Sequence, residues 1–203
     1  AFYISFFPYI VAGPIVRAGD LLPQNSNNLR IKNDNINKGL YLIIRGLIKK
    51  AILSFYLAQY SDIIYGMPGS YSGFENLIAM YSYAFQIYLD FSGYSDMAIG
   101  LAGIMGFKLK DNFNRPYISV SINEFWNRWH ISLSTWLRDY LFLPLTYSRI
   151  KRKKYKLQQE SIPSWKWTEP TNVQSDSIKL PLITTYIYAS LITMFIAGVW
   201  HGA

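Results

Sequence analysis

The sequence predicts an all-α fold, a polytopic integral membrane helical bundle with re-entrant or broken helices. Of the 203 residues, 51% are hydrophobic and 17% are aromatic, which is more apolar material than a single soluble core requires. Leu180–Trp200 contains 21 residues without a charge, and at the α-helical rise it measures about 31 Å, which is enough to cross a bilayer. Four further apolar regions are interrupted by proline, glycine or charged residues, and we expect broken or kinked helices in two of them, Phe2–Val16 and Leu77–Phe107.

These four regions differ in what interrupts them. Phe2–Val16 is short and carries two prolines and a glycine, which predicts a broken or re-entrant segment. Gly39–Tyr60 is longer but contains three basic residues, and Leu77–Phe107 is interrupted by Asp90, Gly93 and Asp96. The latter region is long enough for one kinked helix or two shorter ones. Ile122–Leu143 is rich in aromatic and charged groups, and we expect its helix to end at Pro144.

Polar linkers and charge indicate the topology. Gln24–Lys38 is a polar linker, and Thr146–Lys179 is a polar basic loop in which Arg149–Lys156 holds six basic groups. Such clusters beside apolar spans face the cytoplasm and attract anionic lipid headgroups, so membrane lipid is an expected partner. A solvated loop without any role beyond topology is the simpler interpretation. The net charge of +8 falls in short blocks rather than on one face, which argues against nucleic acid.

The chain ends and the cysteine content set further limits. The sequence opens inside an apolar run without an initiator methionine or a charged leader, so residues 1–203 are interpreted as a partial domain with truncated termini. There is no cysteine. This excludes disulfides within the sequence and any thiolate nucleophile or ligand.

The region after Pro116 contains a candidate functional histidine. Ser121 and Glu124 have the spacing of a capping box, which predicts a helix starting at Ile122. Helical periodicity then predicts one shared face, formed by Asn123, Trp126, His130, Leu133 and Leu137. A lone histidine on such a face is more often a structural group than a catalyst.

Two observations favour a functional role for the ionisable residues. The sequence has only two histidines, His130 and His201, and each directly follows a tryptophan at or near an apolar helix. Ionisable groups in lipid are costly, so those that remain usually face a bundle interior or a water-filled cavity. The same argument applies to Asp90 and Asp96, which interrupt an apolar run.

Seven segments together resemble the membrane-bound O-acyltransferases of the alginate O-acetylation type. They are Phe6–Arg17, Leu22–Gln24, Leu89–Gly100, Asn112–Tyr117, Phe125–Ser134, Trp136–Tyr140 and Gly198–Ala203. The resemblance covers nearly the whole chain in the same order, and only the linkers fall outside it. The long basic loop Thr146–Lys179 departs from the family pattern.

The resemblance implies a many-helix membrane fold around a tunnel, with two histidines near the reaction centre. His201 matches the family's catalytic histidine and His130 its second functional histidine. It also implies transfer of an acyl group, acetyl above all, from a thioester donor to a hydroxyl of an extracytoplasmic glycan. The donor would be an acyl-CoA or acyl carrier thioester, without a bound cofactor. An extracytoplasmic acetyltransferase partner protein and a multi-pass location in the bacterial cytoplasmic membrane are also implied.

The residue chemistry agrees with acyl transfer to an alcohol. Imidazole is suited to remove a hydroxyl proton near neutral pH, so His201 is the expected general base, and His130 is expected to orient the acceptor or stabilise developing charge. No Gly-x-Ser-x-Gly elbow is present and the carboxylates show no clustered ligand spacing, which argues against a serine-hydrolase triad and a metal site. Direct transfer is the simpler route, and an acyl-serine or acyl-histidine intermediate stays open. Candidate substrate-binding residues are Asp90, Asp96, Asn123, Arg128, Trp129 and Trp200, although Arg128 is also placed to pair with Glu124.

Two other functions remain open at this point. Intramembrane ionisable residues with glycine-broken helices are also typical of membrane transporters and channels. Consumption of an acyl thioester would distinguish an enzyme from a transporter. A non-catalytic scaffold of an export complex would tolerate replacement of both histidines.

Overall fold

The computed structural model describes residues 2–10, 13–26, 31–149 and 176–202. These residues are helical or irregular and contain no β-strand. The chain divides into two compact units, Ala1–Leu133 and Ser134–Ala203. The predicted all-α class is therefore confirmed for the described part of the chain.

The first unit is built on two long antiparallel helices. The first combines α4 (Asn33–Leu47), a π-helical segment π1 (Ile48–Ser54) and α5 (Phe55–Gly66) without interruption. The second, α6 (Gly73–Ile104), is a single α-helix of 32 residues, about 48 Å long at the helical rise. Ser72 and Glu75 form a reciprocal capping box at its start. One long helix, rather than two shorter ones, therefore occupies the predicted region Leu77–Phe107.

Glycine pairs allow the two long helices to touch through their backbones. Gly39 lies against the carbonyl oxygen of Gly100, and Gly46 lies against that of Gly93. A Cβ built at Gly39 would lie 2.6 Å from the first oxygen, and one at Gly46 would lie 2.4 Å from the second. Small residues at helix contacts allow this close approach in membrane proteins. The close contact brings the side chains of the basic residues of α4 and π1 within reach of α6.

Short helices precede this pair, as the prolines and glycine predict. They are α1 (Phe2–Ser5), α2 (Phe7–Ile10) and α3 (Ala18–Ser26). Phe6 and Leu21 pack with Ala102, Phe107 and Leu109 in a buried apolar cluster that fixes this segment to the end of α6. The predicted linker Gln24–Lys38 is partly helical, because α3 enters it and α4 begins within it.

The predicted continuous helix Ile122–Leu143 is wrong. Helix α7 (Ile122–Arg128) ends before Trp129, and α8 (Ile131–Leu137) begins after His130, which has a positive φ of 42°. The expected common face of Asn123, Trp126, His130, Leu133 and Leu137 therefore does not exist. Helical spacing does not carry across a residue in the left-handed region.

The capping prediction at the start of α7 is half right. The hydroxyl of Ser121 accepts a hydrogen bond from the backbone N–H of Glu124, as expected. The Glu124 carboxylate, however, accepts from the backbone N–H of Val120 at 3.0 Å, one residue earlier than a capping box requires. The N-cap therefore holds without its reciprocal bond.

The second unit contains the apolar helix recognised in the sequence. It includes π2 (Arg138–Phe142), helical residues 143–149 and α9 (Asp176–His201), and the rings of Phe142 and Tyr186 stack at 6.0 Å. Pro144 does not end its helix, because it follows a π-helical turn, and such local adjustments accommodate proline. Most of the predicted loop Thr146–Lys179 lies outside the described residues, and its described ends, 146–149 and 176–179, are helical and do not form a loop.

Ile183–Trp200 is a candidate membrane span, and no other helix in the described ranges meets the same criteria of length and apolar composition. This agrees with the predicted span Leu180–Trp200. The polytopic arrangement around a tunnel stays a prediction.

Candidate functional site

A cavity of about 410 Å³ opens in the first unit. Its walls come from α4 and π1, from α6, and from the irregular segment 111–115 that follows α6. Polar and charged side chains dominate the lining, in particular Arg45, Lys49, Ser92, Ser95, Asp96, Asp111, Asn112, Asn114 and Arg115. A polar cavity between long apolar helices is the arrangement expected of a site for a polar ligand.

Asp96 is the centre of a charge cluster on one wall. Its carboxylate accepts two hydrogen bonds from Arg45, at 2.9 and 2.6 Å, and one from Lys49 at 2.7 Å. The side chain of Asp96 is only 11% exposed, so removing its partners would leave a poorly solvated carboxylate. Asp96 was predicted to bind substrate, and it lines the cavity while its oxygens are engaged by these two cations.

Asp90 has a separate partner. It pairs with Lys50 at 2.5 Å and does not line the cavity. Lys49 and Lys50 are adjacent in π1, yet each reaches a different aspartate of α6. Because Asp90 pairs with Lys50 and lies outside the cavity, a structural role is favoured for it over direct contact with a substrate.

Asn112 connects the cavity to His130. The Asn112 side chain is 1% exposed, and its Oδ1 lies 3.1 Å from His130 Nδ1. The same oxygen accepts hydrogen bonds from the Ser132 backbone N–H at 3.1 Å and from the Ser132 hydroxyl at 2.8 Å. The Asn112 Nδ2 donates to the Ser95 hydroxyl on α6 at 3.2 Å. One buried amide therefore links α6, the irregular segment and the start of α8.

Backbone hydrogen bonds stabilise the break that presents His130. The N–H of Asn114 donates to the carbonyl of Arg128, and the N–H of Ile131 donates to the carbonyl of Asn112. These bonds satisfy groups that the interruption between α7 and α8 exposes. The His130 side chain is buried, and its ring makes an edge-to-face contact with that of Phe91, with the ring centroids 4.6 Å apart.

The other predicted site residues lie in varied environments. Arg128 pairs with Glu124 at 2.8 Å, as expected, and donates to the backbone carbonyl of Asn114. Asn123 is exposed, and Trp129 stacks on Phe125 at 5.6 Å. These contacts favour structural roles for Arg128 and Trp129.

The two predicted residues of the second unit are less informative. Trp200 is 65% exposed near the end of α9. His201 belongs to the same helix, but its side chain lies outside the described part of the structure. The roles of both therefore stay predictions.

The carboxylate at the start of α7 has a perturbed pKa. The Glu124 carboxylate accepts from the Val120 backbone N–H and from Arg128, and these two interactions lower the pKa of Glu124 below its ordinary value. The ionised Glu124 carboxylate therefore forms hydrogen bonds with both ends of α7, to Val120 just before it and to Arg128 at its last residue.

Several site residues were missed in the sequence. Asn112, Ser95 and Ser132 carry no charge and give no periodic signal. Arg45 and Lys49 were interpreted as interruptions of an apolar region, although the cost of burying them was a usable signal for a polar site. Ser92, also in the cavity wall, has a buried hydroxyl that forms no hydrogen bond with the described residues.

This sequence is similar to a family of known proteins and to several of its members. The sequence matches MBOAT, the membrane-bound O-acyltransferase family, over residues 1–159. The probable alginate O-acetylase AlgI of Pseudomonas fluorescens is 40% identical over 203 residues, which cover 100% of this chain and 34% of that protein. The peptidoglycan O-acetyltransferase of Helicobacter pylori is 36% identical over 206 residues, covering 100% and 33%.

A third relative is named for the transfer of a different acyl group. The teichoic acid D-alanyltransferase of Bacillus subtilis is 36% identical over 159 residues, covering 76% of this chain and 40% of that protein. The chain spans about a third of the length of the first two relatives.

Proposed function

Because this chain belongs to the membrane-bound O-acyltransferase family, we propose that its protein transfers an acyl group, acetyl above all, from a thioester donor to a hydroxyl of an extracytoplasmic polysaccharide or cell-wall glycan. Relatives named for alginate, peptidoglycan and teichoic acid support a glycan or related envelope polymer as acceptor. An acyl-CoA or acyl carrier thioester serves as donor substrate, and no bound cofactor is required for the transfer.

The buried environment of His130 is the observation that carries this proposal. An imidazole at 7% exposure, with one ring nitrogen 3.1 Å from a buried amide oxygen, is held in one orientation. This suits a group that must meet a reacting hydroxyl at a fixed position. The adjoining polar cavity supplies hydrogen-bonding side chains where a sugar or a donor carbonyl could bind.

The proposed reaction divides the work between two histidines. His201 removes the proton of the acceptor hydroxyl as its oxygen attacks the thioester carbonyl, and the carbon–sulfur bond breaks as the ester bond forms. The thiolate leaves and takes up the proton from His201, so the products are an O-acylated glycan and a thiol. His130 orients the acceptor or stabilises the charge that develops on the carbonyl oxygen.

Replacement of the histidines tests the proposal in the full-length protein. His201→Ala should reduce acyl transfer by roughly 100-fold or more while the protein still inserts and folds, because a positioned base contributes about that much. His130→Ala should also reduce transfer. Lys38→Ala removes an exposed ion pair on α4 and serves as the control that should keep normal transfer.

The same assay separates the alternatives. Near-normal transfer by His201→Ala would contradict the mechanism. A purified protein that never consumes an acyl thioester would instead favour a transporter or channel. Full activity after replacement of both histidines would favour a scaffold.

The proposed cellular setting is the bacterial cytoplasmic membrane, crossed several times. Ile183–Trp200 supports at least one span, and the basic stretch Arg149–Lys156 is proposed to face the cytoplasm and anionic lipid. An extracytoplasmic acetyltransferase protein is the proposed partner. The absence of cysteine from these 203 residues simplifies a test. Lys153→Cys should label with an impermeant thiol reagent only after lysis, and labelling in intact cells would reverse the orientation.

A further inference from the structure

We infer that Asn112 is a positioning residue that holds the His130 imidazole with its proton on Nδ1, so that Nε2 carries the lone pair. The inference rests on the proposed function, in which His130 meets the acceptor or the developing charge. It adds a residue that the sequence did not indicate and selects between the two roles left open for His130.

The hydrogen bonds of Asn112 fix which way its amide points. The backbone N–H of Ser132 can only donate, so the Asn112 atom 3.1 Å from it must be the carbonyl oxygen Oδ1. The amide nitrogen then faces the Ser95 hydroxyl, which can accept. The reversed amide would bring two donors together at Ser132, so the observed orientation is required.

The orientation of the amide determines the tautomer of His130. Oδ1 has no hydrogen, so a hydrogen bond to it at 3.1 Å requires a proton on His130 Nδ1. The hydroxyl of Ser132 lies closer to Oδ1, at 2.8 Å, than to Nδ1, at 3.5 Å, and it accepts from the N–H of Ile15. Its single proton is therefore directed to Oδ1. A neutral His130 must carry its proton on Nδ1.

Backbone geometry supports a positioning role. His130 has φ of 42°, a conformation that a non-glycine residue adopts at a cost and keeps only when its surroundings impose it. The Asn112 carbonyl accepts the N–H of Ile131, the next residue along the chain. Asn112 therefore holds both the backbone beside His130 and the imidazole itself.

This arrangement selects a role for the neutral histidine. With the proton on Nδ1, Nε2 accepts a hydrogen bond from a hydroxyl donor and does not donate to an oxyanion. His130 then orients the acceptor hydroxyl, and His201 removes the proton. Stabilisation of an oxyanion would require His130 in its doubly protonated form.

The test combines a spectroscopic measurement with kinetics on the full-length protein. ¹⁵N-histidine spectra report the tautomer, and His130→Gln identifies the His130 signals. Asn112→Leu removes the acceptor at similar volume, so the protonated-Nδ1 tautomer should be lost. The kcat should fall roughly 10- to 100-fold, as for other residues that orient a functional imidazole, while the donor KM stays unchanged.

Two further variants act as controls. Asn112→Asp retains an oxygen that accepts from Nδ1 and from Ser132, so the Nδ1 proton should remain. Because a carboxylate favours the doubly protonated imidazole, most of the lost kcat should return only at a higher pH, where His130 is neutral. Ser95→Ala removes only the partner of the amide nitrogen, so the tautomer should also remain, with a smaller loss of kcat than in Asn112→Leu.

Several outcomes would overturn the inference. They are a proton on Nε2 alone in the unmodified protein, a retained Nδ1 proton in Asn112→Leu, loss of the tautomer in Asn112→Leu without a change in kcat, or loss of the Nδ1 proton in folded Asn112→Asp or Ser95→Ala. If Asn112→Leu does not fold, the spectrum of the unmodified protein still decides. Because the tautomer is measured without turnover, failure of the acyl-transfer proposal would be seen separately, as full activity of His130→Ala and His201→Ala.

Discussion

A single methyl group at Gly46 should force α4 and α6 apart. The added Cβ of Gly46→Ala would lie 2.4 Å from the backbone oxygen of Gly93 and 2.7 Å from Met97 Cγ, whereas ordinary contact begins at 3.4 Å. The side chain of Met97 can move, but the oxygen of Gly93 belongs to the α6 backbone. The contact can therefore be relieved only if one helix shifts by about 1 Å against the other.

The expected cost follows from two opposing effects. Alanine is favoured over glycine in a helix by about 1 kcal/mol, while overpacking of a close contact costs about 1–3 kcal/mol. Separation of the helices also lengthens the hydrogen bonds from Arg45 to Asp96, now 2.9 and 2.6 Å. The two effects together leave a net destabilisation of up to about 2 kcal/mol, and we expect a parallel loss of acyl transfer.

Gly103→Ala provides a matched control. Gly103 lies in the last turn of α6, and nothing lies within 4 Å of a Cβ built there. The propensity gain should appear alone, so this variant should be as stable as the parent or more stable, by up to about 1 kcal/mol. Thermal unfolding of the purified proteins in one detergent compares the two variants directly. If Gly46→Ala is as stable as Gly103→Ala, the backbone contact between α4 and α6 does not exist as described.

Three further predictions concern charges and a helix cap. Asp96→Asn should lower the unfolding temperature more than Asp20→Asn. Asp96 is shielded between two cations, whereas Asp20 pairs on the surface with an 81%-exposed lysine. Equal decreases in the two variants would contradict a stabilising role for the ion pairs of Asp96. Ser121→Ala should destabilise by about 1 kcal/mol through loss of the N-cap but retain activity; loss of turnover at unchanged stability would instead place Ser121 in the active site. Glu124 has a lowered pKa in the folded state, so its contribution to stability is present above its ordinary pKa and is lost as pH falls through the lowered value. Glu124→Gln should therefore flatten the acid limb of the stability profile, and an unchanged limb would count against this assignment.

Local patterns in the sequence were sufficient for the apolar span and for the short helices near the start. The uncharged run before His201 predicted the span in α9, and the prolines and glycine near the start predicted short broken helices. Both predictions depend only on residues close in sequence, through the length of an uncharged apolar run and the restricted backbone of proline. The N-cap at Ser121 is local in the same way.

Contacts between distant residues were not predictable by these means. Asp96 lies 51 residues from Arg45, so the basic residues of α4 and π1 could be interpreted only as interruptions of an apolar run. The break at His130 depends on backbone bonds from the segment of Asn112 and Asn114. Periodicity within Ile122–Leu143 contains no information about those bonds, and this is why it predicted a continuous helix.

The π-helical segment has a consequence for how this chain tolerates insertions and deletions. On the helix that runs from α4 to α5, the small residues Gly39, Gly46, Ser54 and Ser61 are buried at intervals of seven, eight and seven. A seven-residue interval keeps a helix in register with its neighbour, and the wider π turn absorbs the one extra residue. Deletion of one residue within Ile48–Ser54 would make all three intervals seven residues long, so the four small residues would still face the neighbouring helix. It would, however, remove the π-helical turn that directs Lys49 and Lys50 to separate aspartates. Single-residue length changes among relatives should therefore be found in this segment more readily than elsewhere along the helix.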